Sequence, residues 1–201
     1  MNSHLRLIGD VHGHKQRYLQ LCRKATHTIQ LGDHGFSYDH LTGLSPSQHK
    51  ILGGNHDNYD EITNWPHYLG NYGVHHVPEI GCIFFIRGGS SLDRQFRTEG
   101  IDWWPDEEMP TRRCLEALSL YESSRPSFVV SHECPLNIIP SLNLSGRAIK
   151  TRTNQLLGQM LSIHQPKMWV FAHYHTSLRL YVNGTEFVCL DELECFDFRS
   201  T

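Results

Sequence analysis

Short apolar runs, each ending in a polar cluster, set the pattern of this chain. Leu5 to Ile8 stops at Gly9-Asp10, Thr28 to Leu31 at Gly32-Asp33, and Lys50 to Leu52 at Gly53-Gly54-Asn55. Phe128 to Val130 leads into Ser131-His132, and Met168 to Phe171 into Ala172-His173. Such runs predict buried strands followed by loops. Val74 to Val77 and Cys82 to Ile86, separated by Pro78-Glu79-Ile80-Gly81, predict a hairpin. Leu178 to Val182 and Glu186 to Leu190 predict another, closed on Asn183-Gly184 as a type I′ turn. Helical spacing appears three times. His14 to Lys24 repeats Tyr18, Leu19 and Cys22. Asp106 to Ser123 places Cys114, Leu115, Leu118 and Tyr121 on one face. Thr151 to His164 carries Leu156, Leu157, Met160, Leu161 and His164 as an inner stripe. Strands and helices alternate at first, and strands dominate the end. The expected fold is α/β, two packed mixed β-sheets flanked by helices, in a single domain over residues 1–201.

Composition narrows the setting. The chain has 201 residues, 39% hydrophobic and 19% charged, as an ordinary globular domain does. A net charge of −3 provides no global basic surface, so long nucleic acid is not an expected partner. No apolar run is long enough to span a bilayer, so no membrane partner is expected. Met1-Asn2-Ser3-His4 shows no basic, then apolar, secretory pattern. Cys22, Cys82, Cys114, Cys134, Cys189 and Cys195 form no C-x-x-C pair, which argues against a thiolate zinc site. Dispersed cysteines without a signal suit a reducing compartment, and the expected location is cytoplasmic. Oligomeric state is not legible.

Histidine is abundant, with 15 residues, and its positions carry the chemistry. Ligand sites in α/β sheets gather at the carboxyl ends of strands. Five such ends here carry Asp, Asn and His. Asp10 and His12 are two apart, as are His173 and His175. On extended backbone each pair faces one cavity. Imidazole and carboxylate together suit divalent Mn, Fe, Zn, Co or Ni.

The blocks Gly9-Asp10-Val11-His12, Gly32-Asp33, Gly54-Asn55-His56-Asp57, Ser131-His132 and Ala172-His173-Tyr174-His175 occur in that order. In them the chain resembles the calcineurin-like metallophosphoesterase superfamily, and more weakly its small bacterial and phage members. The resemblance implies two metal ions, Mn²⁺ first among the candidates. Asp10, His12 and His175 would hold one, Asn55, His132 and His173 the other, with Asp33 bridging both. His56 would act on the transition state or the leaving oxygen, with Asp57 orienting its ring. The implied reaction is hydrolysis of a phosphate mono- or diester by a hydroxide shared between metals about 3.5–4 Å apart. Four metal charges against two carboxylates would keep the site attractive to phosphate. Ala172 stands where the family usually has Gly, and no Arg soon follows Asp33. With Asp57 ending the third block, this weakens a Ser/Thr protein phosphatase reading.

Other residues have weaker claims. Arg87, Arg94 and Arg97 surround Gly88-Gly89-Ser90-Ser91, as a substrate-phosphate clamp or as solvated arginines on a glycine bend. Trp103-Trp104 would stack a base or anchor the packing. His14 and His34 are candidates for supporting metal ligands. His4, His27, His40, His49, His67, His75, His76 and His164 read as structural or surface residues. Tyr174 points away by alternation, and Cys134 reads as a packed thiol. A chain this short leaves little room for a cap, so an open site for small phosphate esters or nucleotides is expected. Two other function classes compete: a non-catalytic scaffold of the same fold, and a metal-storage protein.

Overall fold

The computed structural model describes residues 4–142 and 149–199. In chain order the elements are β1 (His4–Ile8), α1 (Lys15–Cys22), β2 (His27–Gln30), β3 (His49–Ile51), α2 (Tyr59–Ile62), β4 (Tyr72–Val77) and β5 (Gly81–Ile86). They continue with α3 (Thr111–Ser124), β6 (Phe128–Ser131), α4 (Arg152–Ile163), β7 (Met168–Phe171), β8 (Leu178–Val182), β9 (Thr185–Cys189) and β10 (Cys195–Arg199). Residues 1–3, 143–148 and 200–201, part of the expected 1–201 domain, lie outside the described residues. Among the described residues no helix is long and apolar enough to cross a membrane.

Two mixed sheets form, as the pattern predicts. One has the order β10-β1-β2-β3, the other β4-β5-β6-β7-β9-β8. β1, β2 and β3 run parallel, as do β5, β6, β7 and β9. β10, β4 and β8 add antiparallel strands.

The strand period explains the layering. Leu5, Leu7, Ile29 and Leu31 of the first sheet meet Ile83, Phe85, Val130, Val170 and Val188 of the second in one core. Their neighbours point outward. Phe84, Val129, Trp169, Phe171 and Phe187 pack with Cys114, Ala117 and Tyr121 of α3 and Leu157 and Met160 of α4. Ile8 and Ile51 pack with Tyr18 and Cys22 of α1. Alternation within each strand thus feeds the seam between sheets and the helix layers outside them.

Three expectations are corrected. The helix foreseen from Asp106 begins at Thr111, behind a 3₁₀ turn at Pro105–Glu107. The residue before a proline is disfavoured in the α region, so Met109-Pro110 ends any earlier helix. Leu115 is 62% exposed, because the buried stripe runs through Cys114, Ala117 and Tyr121. Finally, β10 was not foreseen. It pairs with β1 and places Phe196 and Phe198 against the seam, while Asp197 takes a bidentate pair from Arg6 at 2.7 and 2.8 Å. The start of α4 follows its sequence closely. Thr151 caps it in a reciprocal pair with Asn154.

Trp169 is fully buried and donates to Ser131 Oγ at 2.8 Å. Trp169→Ala is expected to destabilise the protein by about 3–5 kcal/mol in guanidinium unfolding. A loss below about 1 kcal/mol would mean that this layer collapses to fill the hole.

Candidate metal centre

Every block foreseen as a ligand loop leaves a parallel strand at its carboxyl end. Asp10 and His12 follow β1, Asp33 follows β2, and Asn55 follows β3 in the first sheet. His132 follows β6 and His173 and His175 follow β7 in the second. The loops meet over the seam. His132 Nδ1 donates to the carbonyl of Leu31 at 2.8 Å, and the His173 amide donates to Asp10 Oδ1 at 3.3 Å.

The side chains reach the cleft by a route that alternation did not foresee. His12, Asp33, His173 and His175 have φ of 44°, 56°, 72° and 47°. They lie in the left-handed region rather than on extended backbone. Such residues cost of order 1–3 kcal/mol each and persist where their surroundings over-determine them. Here the carbonyl of Asp33 accepts from both Val11 N and His12 N at 2.9 Å. Glycine permits the closest approach: a Cβ on Gly54 would collide with Asp33 Oδ1 and its backbone nitrogen.

Among the described residues three overlapping groups of donor atoms result, Asp10–His12–His175, Asp33–His132–His173 and His12–Asp33–His56, each with atoms within 4.8 Å of one another; the first two share no residue. Asp33 faces both. Its Oδ1 lies 3.2 Å from His132 Nε2 and its Oδ2 lies 3.8 Å from His12 Nε2. Asn55 Oδ1 joins the second group at 3.0 Å from His132 Nε2.

The donors suit a divalent cation. Asp10 Oδ2 is buried, with His175 Nε2 3.1 Å away. His12 and His175 bring Nε2 atoms within 2.9 Å of each other. Burial works against charge on His132, but Asp33 and Asp10 outweigh it and raise its pKa to about 10. Burial and that neighbouring charge hold His173 down at about 3. The His132 proton thus supplies positive charge where a cation would sit. A mixed nitrogen and oxygen set of this kind suits Mn, Fe, Zn, Co or Ni.

His56 stands beside both groups. Its ring meets His12 edge-on at 5.0 Å, and its backbone nitrogen donates to Asp33 Oδ1 at 2.7 Å. Arg97 holds the ring, with guanidinium nitrogens 3.1 Å from Nδ1 and 2.9 Å from Nε2. Asp57 does not orient this ring. It is buried and accepts from the backbone of Asp33 (2.9 Å), His34 (3.0 Å) and Gly54 (2.7 Å) and from Tyr38 Oη (2.9 Å). Burial and the Asp33 charge push its pKa up to about 7, while the Gly54 and Tyr38 bonds pull it down. Asp57 therefore fastens two ligand loops together.

The three arginines separate. Only Arg97 lines the cleft, a space of about 330 Å³ bounded also by Asp33, Asn55, His56, His173 and His175. Its guanidinium is braced by Asp93 through two bonds of 2.8 Å. Arg87 is buried against Asn71, the Asp106 carbonyl and the Tyr59 ring. Arg94 lies over the Trp103 ring at 4.0 Å. Neither forms a clamp on the cleft. Trp103 and Trp104 are themselves buried, with Trp104 Nε1 on Asp60 at 2.8 Å, so they anchor packing and offer no stacking face. His14 is exposed beside Glu192, and His34 stacks on Tyr38 and His40 away from the cleft. Tyr174 packs on Phe171, and its Oη accepts from the buried Cys134 thiol. Sequence reasoning missed Asp93, Ser91 and Glu107, which contact Arg97 or Asn55 directly or through one residue. Only the Ser91-Leu92-Asp93 spacing beside Arg97 offered a signal.

The calcineurin-like phosphoesterase model matches residues 4–177. No curated protein matches the chain. Among solved structures, phosphopantetheinyl hydrolase from Mycobacterium tuberculosis aligns with a TM-score of 0.53 at 13% identity, over 95% of this chain and 90% of that one. GAP50, described as the anchor in the inner membrane complex of Plasmodium, aligns at 0.51 and 10% identity, over 94% of this chain and 72% of that one. At these identities the likeness is one of fold.

Asp57→Ala strands four donors, three of them buried backbone amides. Each unsatisfied buried donor costs about 1–3 kcal/mol, so the metal-free variant is expected to lose at least about 3 kcal/mol in guanidinium unfolding. Wild-type stability would show that the loops hold without this carboxylate.

Proposed function

The chain belongs to the calcineurin-like phosphoesterase family, and from that premise we propose that it hydrolyses small phosphate mono- or diesters, nucleotides included, with two divalent cations, Mn²⁺ first among them. The observation that carries this reading is Asp33, whose two oxygens face two separate donor groups.

Asp10, His12 and His175 would hold one cation, Asn55, His132 and His173 the other, and Asp33 both. When bound, the cations supply Lewis-acid charge to phosphoryl oxygens and lower the pKa of water. The protein's part is positioning. The Leu31 carbonyl accepts from His132 Nδ1, which turns Nε2 toward the cleft, where a cation would replace its proton. Arg97 is the one Lys or Arg among the described residues lining the cleft. Its forked guanidinium matches phosphate oxygens bidentately, and Asp93 holds it ready. Arg97 has donors only, so one nitrogen of the His56 ring accepts from it, the other carries the ring proton, and the ring stays neutral there. Burial, the largest influence, also keeps the His56 pKa below its ordinary value. When the guanidinium turns to phosphate, a ring N–H of His56 is free to serve the leaving oxygen. The nucleophile is water, so no phospho-enzyme forms.

The test is hydrolysis of p-nitrophenyl phosphate and bis(p-nitrophenyl) phosphate by metal-free protein, before and after Mn²⁺ is added. Activity is expected only with metal. Two bound Mn²⁺ ions without turnover of any ester would instead favour a scaffold. His56→Gln is expected to keep both ions and lower kcat by about 10²–10⁴-fold. Arg97→Ala is expected to raise KM with unchanged metal stoichiometry. If kcat survives His56→Gln, the role given to His56 is wrong.

A further inference from the structure

Asn55 presents a problem that the carboxylate ligands do not. Only its carbonyl oxygen can serve a cation, and a flipped amide would aim an NH₂ group at the site. Something must fix which way it faces. Asn55 Oδ1 points to His132, and Nδ2 donates to Ser91 Oγ at 3.3 Å. A serine hydroxyl could equally donate to an amide oxygen, so Ser91 alone settles nothing.

Glu107 settles it. It is buried at 4% exposure. Its Oε2 accepts from Ser91 Oγ at 2.6 Å, and its Oε1 accepts from Ser91 N at 3.0 Å. A hydroxyl has one proton. With that proton committed to Glu107, Ser91 Oγ offers Asn55 only a lone pair, and the amide must answer with NH₂. The Asn55 backbone carbonyl, 3.5 Å from Ser91 Oγ, is too far to compete. Gly89 keeps the path clear, since a Cβ there would lie 2.9 Å from His132 Cδ2 and 3.1 Å from Asn55 Oδ1.

We infer that Glu107 and Ser91 are positioning residues that lock the Asn55 amide with its oxygen toward the second donor group, so that this group is ready for a cation. The inference rests on the two-cation reading above. It gives a role to the Gly88-to-Glu107 segment, which supplies no ligand itself.

The test is calorimetric titration of metal-free protein with Mn²⁺. Glu107→Gln can donate to Ser91 and release its proton toward Asn55. It is expected to weaken one of the two binding events about 10–100-fold and leave the other unchanged. Ser91→Ala, a smaller change, is expected to weaken the same event. The deciding measurement repeats Glu107→Gln in an Asn55→Asp background. A carboxylate has oxygen on both sides and no orientation to lose, so the effect of Glu107→Gln is expected to vanish or reverse. An equal loss in both backgrounds would reduce Glu107 to a structural support and overturn the inference. So would wild-type affinity in folded Glu107→Gln and Ser91→Ala. Wild-type protein that binds no Mn²⁺ would overturn the two-cation reading as well, which separates the two failures.

Discussion

The structure depends on holding two carboxylates, Asp10 and Asp33, out of water at the seam between the sheets. An ion buried this way costs several kcal/mol unless opposite charge meets it. The fold meets the cost by crowding imidazoles against them. In the metal-free state His132 carries the compensating proton, raised by the same carboxylates that call for it. A site that pulls a buried histidine up against its own desolvation is organised for positive charge. Asp10 Oδ2 faces the same place, with the His175 and His12 imidazoles 3.1 and 3.8 Å away.

Reaching the seam imposes a second constraint. A strand leaving a sheet carries its side chains up or down, not forward over the edge. Left-handed backbone at His12, Asp33, His173 and His175 turns them forward, and each such turn is unfavourable outside glycine. The strain is held by bonds between loops rather than within them. The Asp33 carbonyl fixes the first loop, and Asp57 fixes the second to the third. A carboxylate that sequence reasoning assigned to the His56 ring is instead what keeps the ligand backbone in place.

This explains what the chain made legible and what it did not. The sheets, their alternation and the ligand blocks could be read because each has a local period or a short spacing. The seven expected ligands were named from block order and resemblance, and the structure brings their side chains close to one another at the seam. The route by which they face it was misread, since i and i+2 spacing looks the same whether the backbone is extended or turned. Leu115 and the start of α3 were misjudged for a similar reason. A helical face is set by the partner layer, and Pro110 outweighs the acidic residues before it. β10 escaped notice because its partner, β1, lies at the other end of the chain, so no local turn announced it.

The arginines show the same limit at the level of the site. Arg87, Arg94 and Arg97 look alike in sequence, yet they divide into a buried structural ion, a cap on Trp103 and a group in the cleft. What separates them is which neutral or acidic partner each finds. Arg97 alone meets both an anchoring carboxylate, Asp93, and a ligand-loop histidine, His56. The long interval between Asn55 and His132 therefore has a physical purpose. It contributes no metal ligand, but its loop lies across the cleft and governs two side chains that do face it: the His56 ring through Arg97, and the Asn55 amide through Ser91 and Glu107. Five strand ends supply the donors, and this one loop between them determines how two of their side chains are presented.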